Sequence, residues 1–365
     1  MAANAIRRIS ALLPSLTSSR LSTRMASSTA ATMSSSSASS SSSASSSTAP
    51  APSKHDSDAT VDVAEIGPHR TWTVTTDDGL ATLACESFAP PVDSDPKLPV
   101  LLFTHANGFS KTTLHPFMAE LRKHGSRHPF LAIDFHGHGE SSNHQREDWD
   151  WWTLGKDVTT VVDAYRAKDP SRSLVGVGHS IGGAAIFMLE HYRPGTLKSI
   201  IAFEPIMFPK EFTSHGGHDD LVKGTLKRRA VFPSFAAAKQ QFVKKRMYAA
   251  LDSRALNEYV FNSMRQLPDG SVTLKCAPAV EAKNFSNGHK HDMFDKLADL
   301  KLPVLYVAGE ESEFVPLSLA ESQHEATPNS QLQVLPNVGH MLPLENPELL
   351  AKTVLKRLSE QNLHY

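Results

Sequence analysis

The stretch GHSIG, residues 178–182, has the residue types and spacing best suited to chemistry in this sequence. It follows an apolar run, residues 174–177, that is typical of a buried strand, and it leads into a helical pattern. A serine between glycines at a sharp strand-to-helix turn exposes its hydroxyl as a nucleophile. The start of the helix adds positive partial charge and an N–H from Ile181 that could bind a developing oxyanion. We therefore predict Ser180 as the nucleophile and Ile181 as an oxyanion donor; the alternative is a glycine-rich turn that only packs the helix on the strand.

A second loop with suitable residues is HANGF, residues 105–109, which directly follows another apolar run. A loop in this place can supply the second donor of an oxyanion hole. Asn107 is the best candidate, through either its backbone N–H or its side-chain amide. The alternative is a turn in which the Asn-Gly pair only satisfies the backbone geometry.

The elements that must position these loops alternate between strand and helix patterns from Thr71 onward. A hairpin around Asp78-Gly79 begins the series, and later strands are continuous apolar runs, which indicates a mostly parallel sheet covered by helices on both faces. The predicted strands are 71–75, 80–88, 99–104, 130–134, 174–178, 197–203, 303–308 and 331–335, and the main predicted helices are 113–123, 151–168, 181–192 and 347–358.

One interval, residues 208–300, breaks this alternation and shows mainly helical patterns. It is too long for a loop, so we predict a helical cap inserted between two strands of a core formed by residues 70–207 and 301–360. The cap is rich in aromatic residues, which either line an apolar pocket or form the cap's own core. These aromatic residues are Phe232, Phe235, Phe242, Tyr248 and Tyr259.

The N-terminal residues 1–60 differ from the rest of the chain in composition. No Asp or Glu precedes Asp56, arginines occur at intervals up to Arg24, and residues 34–48 are almost entirely Ser and Ala. This composition predicts a disordered leader that acts as a transit peptide to the mitochondrion or a plastid. The alternative is a disordered tail without an address on a cytosolic protein.

Composition also narrows the partners and the compartment. The formal net charge of −1 indicates no basic face, so we do not expect nucleic acid as a partner. No apolar run reaches the roughly 18 residues of a transmembrane helix. The 2 cysteines are too few for a disulfide framework, which favours a reduced intracellular compartment. No motif for a metal or a cofactor is present, and none is predicted.

Four stretches together resemble the α/β-hydrolase superfamily, and in particular its cap-bearing branch of esterases, epoxide hydrolases and haloalkane dehalogenases. They are FTHANGFS, AIDFHGHGESS, GVGHSIGG and PNVGHMLPLENPE, and the resemblance extends over residues 70–360. It implies the α/β-hydrolase fold, and it implies that His340 in the last stretch is the base that takes the proton of Ser180. In the dehalogenases and epoxide hydrolases the nucleophile is Asp, so Ser180 argues against those two activities.

The acidic partner of His340 is less obvious. Many relatives carry an Asp in the loop after the penultimate strand, but the matching position here is Ser312. Some cap-bearing relatives place the acid just after the strand that follows the nucleophile's helix, and that position is Glu204. Its place in the chain also agrees with the Ser, Asp/Glu, His order of the fold. We therefore predict Glu204 as the acid, with Glu313 or Glu311 as alternatives.

These residues predict a serine hydrolase that cleaves an ester or related acyl compound, apolar and small, through an acyl-enzyme. The same triad would also serve an acyltransferase or a C–C hydrolase, and a ligand receptor could retain the fold without turnover. Substrate identity and oligomeric state are not indicated by the sequence.

Overall fold

The computed structural model describes His55 and residues 57–142, 149–210 and 217–363, so most of the predicted leader lies outside the described residues. The described strands are β1 (His69–Thr75), β2 (Thr82–Phe88), β3 (Val100–Thr104), β4 (Phe130–Ile133), β5 (Leu174–His179), β6 (Leu197–Phe203), β7 (Val231–Phe232), β8 (Met264–Gln266), β9 (Val272–Leu274), β10 (Val304–Gly309) and β11 (Ser330–Leu335). The described α-helices are α1 (Val63–Ile66), α2 (His115–Lys123), α3 (Trp152–Arg166), α4 (Ile181–Tyr192), α5 (Gly217–Leu226), α6 (Phe235–Phe242), α7 (Arg246–Ala250), α8 (Ser253–Asn262), α9 (Pro278–Asn287), α10 (Leu317–Ala326), α11 (Leu342–Glu345) and α12 (Pro347–Glu360).

Eight strands form the central sheet in the order β1-β2-β4-β3-β5-β6-β10-β11. Strand β2 is antiparallel to both of its neighbours, and the remaining pairs are parallel. Successive residues of β3 enter different apolar clusters, with Leu101 and Phe103 on one face and Val100 and Leu102 on the other. This explains why the central strands are continuous apolar runs, and it confirms the prediction of a mostly parallel sheet flanked by helices.

The insertion, residues 208–300, lies between β6 and β10 and contains α5 to α9. It also contains a small antiparallel sheet in the order β7-β9-β8, which the helical prediction missed. Its strands are only 2 or 3 residues long, too short to show the alternation that identifies a strand in a sequence.

Four of the five aromatic residues of the insertion are buried, and they join the apolar cluster on one face of the central sheet instead of forming a separate core. Phe232, Phe242, Tyr248 and Tyr259 are each no more than 3% exposed. The rings of Phe242 and Tyr248 lie 4.6 Å apart, and Tyr259 packs at 4.9 Å against Phe109 of the loop after β3. The insertion is therefore packed onto that loop.

The N-terminal segment, residues 57–61, is bound to the same insertion. Lys239 donates to the carbonyl oxygen of Ser57 at 2.6 Å, and Asn257 donates to that of Ala59 at 2.6 Å. The N–H of Val61 in turn donates to Glu258 at 2.9 Å. The last residues of the stretch predicted as a leader thus contact the folded protein.

Within the described part of the chain, every helix is too short or too polar to span a bilayer.

Candidate active site

Ser180 occupies a strained turn between β5 and α4. Its φ is 57° and its ψ is −118°, a conformation that residues other than glycine rarely adopt. A Cβ on Gly178 would lie 2.7 Å from the carbonyl oxygen of Gly182, and one on Gly182 would lie 2.6 Å from that of His105. Both approaches are closer than real Cβ contacts, so the two glycines of the motif are required by the backbone itself.

His340 lies beside this serine, in the loop between β11 and α11. Its Nε2 is 3.1 Å from the Oγ of Ser180, and its side chain is only 10% exposed. A histidine at this distance can accept the hydroxyl proton when the serine attacks.

Glu204 follows β6 directly, at a φ of 43°, and its carboxylate is fully buried. Its Oε2 lies 2.7 Å from the Nδ1 of His340. A carboxylate only accepts hydrogen bonds, so Nδ1 carries the proton and Nε2 presents its lone pair to Ser180. The three side chains therefore form one hydrogen-bonded row with the polarity that proton transfer requires.

The loop after β10 supports the carboxylate of Glu204. The N–H of Gly309 donates to Oε1 at 2.8 Å, and the hydroxyl of Ser312 donates to Oε2 at 2.7 Å. From the sequence, Ser312 is predicted only as a position that lacks the usual acid. In the structure it holds the acid that comes from the neighbouring strand.

The two alternative acids do not reach His340. Glu311 and Glu313 are both exposed, and Glu313 forms an ion pair with Arg246, whose side chain is 77% exposed. An exposed pair of this kind belongs to the surface.

Of the two predicted oxyanion donors, Ile181 directly follows the serine in the chain, and Asn107 belongs to the loop that packs against the serine's turn. The N–H of Ile181 belongs to the first turn of α4, where the helix itself supplies no acceptor. Gly182 packs against Thr104 and His105, which brings the start of the Asn107 loop against the same turn. The side-chain amide of Asn107 is already engaged, because it donates to the carbonyl oxygen of Glu281 at 3.0 Å and accepts from Asn284 at 2.8 Å. Of the two groups considered for Asn107, the backbone N–H is therefore the one suited to an oxyanion.

His179 is a residue of this site that the sequence analysis missed. Its Nε2 donates to the carbonyl oxygen of His340 at 2.8 Å, which ties the turn at Ser180 to the loop of the base. Burial lowers the pKa of His179 well below its usual value, so the ring is neutral and has one proton to donate. A histidine inside a nucleophile motif carries no signal of this role, because its acceptor is a backbone atom 161 positions away.

Asp134 explains the motif AIDFHGHGESS in structural terms. Its carboxylate accepts from the Nζ of Lys111 at 2.7 Å and from the N–H of Glu140 at 2.9 Å, which closes a tight turn after β4. Burial is the largest influence on the pKa of Asp134 and raises it, but the Lys111 ammonium, the nearby His105 and the hydrogen bonds from Lys111 together hold the pKa below its usual value. The ion pair of Lys111 and Asp134 therefore stabilises this turn, which lies next to the Asn107 loop.

Comparison with known proteins gives the class. A sequence model described as the alpha/beta hydrolase family matches residues 101–353. The chain belongs to the α/β-hydrolase family, as its four motifs predicted, and is an enzyme of that hydrolase class.

The matches to individual proteins have low sequence identity. The chain is 21% identical over 230 residues to an uncharacterised hydrolase of Bacillus subtilis, a match that spans 62% of this chain and 79% of that one. It is 26% identical over 174 residues to a type I acyl-CoA thioesterase of Penicillium brevicompactum, which spans 45% of this chain and only 40% of the relative. Among solved structures, a peroxisomal alpha-beta-hydrolase of Saccharomyces cerevisiae superimposes with a TM-score of 0.67 at 18% sequence identity. The superposition covers 82% of this chain and 89% of the yeast chain.

Proposed function

We propose that Ser180, His340 and Glu204 form a catalytic triad that hydrolyses an ester or a related acyl compound. The observation that carries this proposal is the buried row from Glu204 through His340 to Ser180, with distances of 2.7 and 3.1 Å. A row that only stabilised the fold would not need a serine in a strained conformation at its end.

The reaction begins when the Oγ of Ser180 attacks the carbonyl carbon and His340 takes the hydroxyl proton at Nε2. The carbonyl electrons move onto its oxygen, and the N–H groups of Ile181 and Asn107 stabilise that oxyanion. When the intermediate collapses, the bond to the leaving group breaks and His340 returns the proton to it. The product of this half-reaction is an acyl-enzyme on Ser180.

Water completes the cycle. His340 removes a proton from the water as it attacks the acyl carbon, and the same proton returns to Ser180 as the carboxylic acid leaves. Glu204 remains ionised throughout and stabilises the imidazolium that forms twice in each turnover.

We propose an acyl substrate with an apolar portion near the base. Phe314 is 46% exposed and its ring lies 5.1 Å from that of His340, so an apolar surface borders the reacting atoms. Oxygen esters and thioesters both have the required acyl carbonyl, and the thioesterase relative from Penicillium agrees with this class.

A fluorophosphonate probe tests the proposal, since it phosphonylates an activated serine. The full-length protein should label rapidly and Ser180→Ala should not label, while both retain the same circular dichroism spectrum. The protein should also hydrolyse p-nitrophenyl esters, and a series of acyl lengths would define the preferred chain. Absence of labelling and of hydrolysis in the wild type would favour a ligand receptor with this fold.

We also propose that the leader, residues 1–60, directs import into mitochondria or plastids. The support is its composition, with arginines but no acids before Asp56. A fluorescent reporter fused to residues 1–60 should enter the organelle, and a uniformly cytosolic signal would leave only the tail without an address.

A further inference from the structure

A row of three side chains runs from the core into the insertion and ends at the Asn107 loop. The indole Nε1 of Trp149 donates to Oδ1 of Asn284 at 2.6 Å, and Nδ2 of Asn284 donates to Oδ1 of Asn107 at 2.8 Å. Asn284 lies on α9 and is fully buried, whereas Asn107 is 6% exposed. Breaking a hydrogen bond of such a buried amide reduces the stability of the folded protein, because the unpaired polar atom has no water to bind instead.

The direction of this row is fixed by its first member. An indole N–H is only a donor, so the oxygen of Asn284 must face Trp149 and its nitrogen must face Asn107. The oxygen of Asn107 is thereby placed toward Asn284, and its nitrogen donates to the carbonyl oxygen of Glu281 at 3.0 Å. Turning either amide around would bring two donors or two acceptors together.

Helix α9 also contacts the next residue of the loop. Gly108 has a φ of +78°, and a Cβ there would lie 2.7 Å from Oε1 of Glu281. The Glu281 carboxylate is held in place by Arg228, with one N–O distance of 2.5 Å. Trp151 donates to the carbonyl oxygen of Asn284 at 2.9 Å and fixes the helix on its other side. The peptide that joins Asn107 to Gly108 is therefore held by α9 through two neighbouring residues.

We propose that Asn284 is a positioning residue for the oxyanion hole, acting through Asn107. The inference rests on the proposed hydrolase function. Asn284 aligns the side chain of Asn107, and this alignment holds the backbone N–H of Asn107 toward the oxyanion. The insertion is thus part of the catalytic geometry, in addition to any contact that it makes with substrate.

Asn284→Ala is the direct test, with Asn287→Ala as a matched control. Asn287 lies on the same helix and donates only to its own helix, at the carbonyl oxygen of Lys283. Loss of an oxyanion donor costs about a hundredfold to a thousandfold in kcat, and for a misaligned one we expect about a tenfold to hundredfold fall in Asn284→Ala. KM for a p-nitrophenyl ester should change by less than about threefold, because ground-state binding does not use the oxyanion.

A second readout separates this role from general stability. An alkyl trifluoromethyl ketone adds to Ser180 and forms a hemiketal oxyanion, so its inhibition constant should rise in Asn284→Ala in step with the fall in kcat/KM. The inhibition constant of p-nitrophenol, the product that carries no acyl oxygen for the oxyanion hole, should stay unchanged. A folded Asn284→Ala protein with wild-type kcat and wild-type affinity for the ketone would overturn the inference.

Trp149→Phe provides a second test of the inference if the Asn284→Ala protein does not fold. It keeps the ring beside His136 but removes the donor that fixes the amide of Asn284. We expect a smaller effect in the same direction, about threefold to tenfold on kcat and on ketone affinity, since a single hydrogen bond is lost. Unchanged values for a folded Trp149→Phe protein would contradict the inference. Hydrolysis by the wild type and its loss in Ser180→Ala must be established first. Failure of the proposed function is then recognised separately from failure of this inference.

Discussion

The loops after β6 and β10 lie side by side at one edge of the sheet, and both carry carboxylates, yet they differ in environment. Glu204 after β6 is buried and accepts hydrogen bonds from Gly309, Ser312 and His340. Glu313 after β10 is 66% exposed and pairs with Arg246 on the surface. Burial and the number of fixed donors distinguish the proposed acid from the surface acids, because an exposed pair contributes little and moves freely.

The β10 loop keeps a part in the site although it supplies no acid. Its backbone and the Ser312 hydroxyl hold both oxygens of Glu204, so one strand provides the charge and the adjacent strand provides its orientation. Four experiments test this division of roles.

Replacing Glu204 with Gln should have the largest effect. The change keeps the shape but removes the charge that stabilises protonated His340, and it allows the wrong imidazole tautomer. We expect kcat to fall by about a hundredfold to ten-thousandfold. Steady-state kinetics on a p-nitrophenyl ester would measure this fall in kcat. The affinity for a substrate analogue serves as the control and should change little, because the Glu204 carboxylate faces His340 and not the acyl group. Near-normal kcat in a folded Glu204→Gln protein would return Glu204 to an ordinary strand end.

Moving the acid to the other loop should restore part of the activity. The Oγ of Ser312 lies 2.7 Å from the Glu204 oxygen that contacts His340, so an Asp at 312 would place a carboxylate near the same ring. We expect Glu204→Ala, Ser312→Asp to be about tenfold more active than Glu204→Ala alone, a gain of roughly 1.4 kcal/mol in transition-state stabilisation. Equal activity of the two proteins would mean that only the β6 loop can present an acid to His340.

Removing the supporting hydroxyl should give a smaller loss. Ser312→Ala deletes a hydrogen bond to a charged acceptor but leaves the Gly309 N–H in place, so we expect kcat to fall by about tenfold. A loss as large as that of Glu204→Gln would assign Ser312 a direct part in catalysis.

Neutralising the exposed acids should change least. Glu313→Gln and Glu311→Gln should each alter kcat by less than about threefold, because solvent screens their charges from the site. The same ester assay measures both, with the wild type in the same buffer as reference. A crippled Glu313→Gln protein would reverse the comparison and place the acid after β10.

The parts of the molecule that could be predicted from the sequence are those that depend on residues close together in the chain. The nucleophile turn was predictable because backbone contacts at Gly178 and Gly182 exclude any side chain, and Glu204 was predictable as a carboxylate at the end of a buried strand. His179, Ser312 and Asn284 were not, because each acts through a partner that is distant in the chain and often a backbone atom. The small β7-β9-β8 sheet was missed because its strands have only 2 or 3 residues, fewer than the roughly four over which alternation identifies a strand.

The contacts of the N-terminal segment restrict how far this chain can be shortened without loss of stability. Lys239, Asn257 and Glu258 are all at least nine-tenths buried, and each bonds to a backbone atom of Ser57, Ala59 or Val61. A cut after Val61 would leave these groups facing a vacated groove, at a cost of about 1–3 kcal/mol for each one that water cannot reach. Versions of the protein that keep all of these contacts begin at or before Ser57, and recombinant versions that start later should melt at a lower temperature.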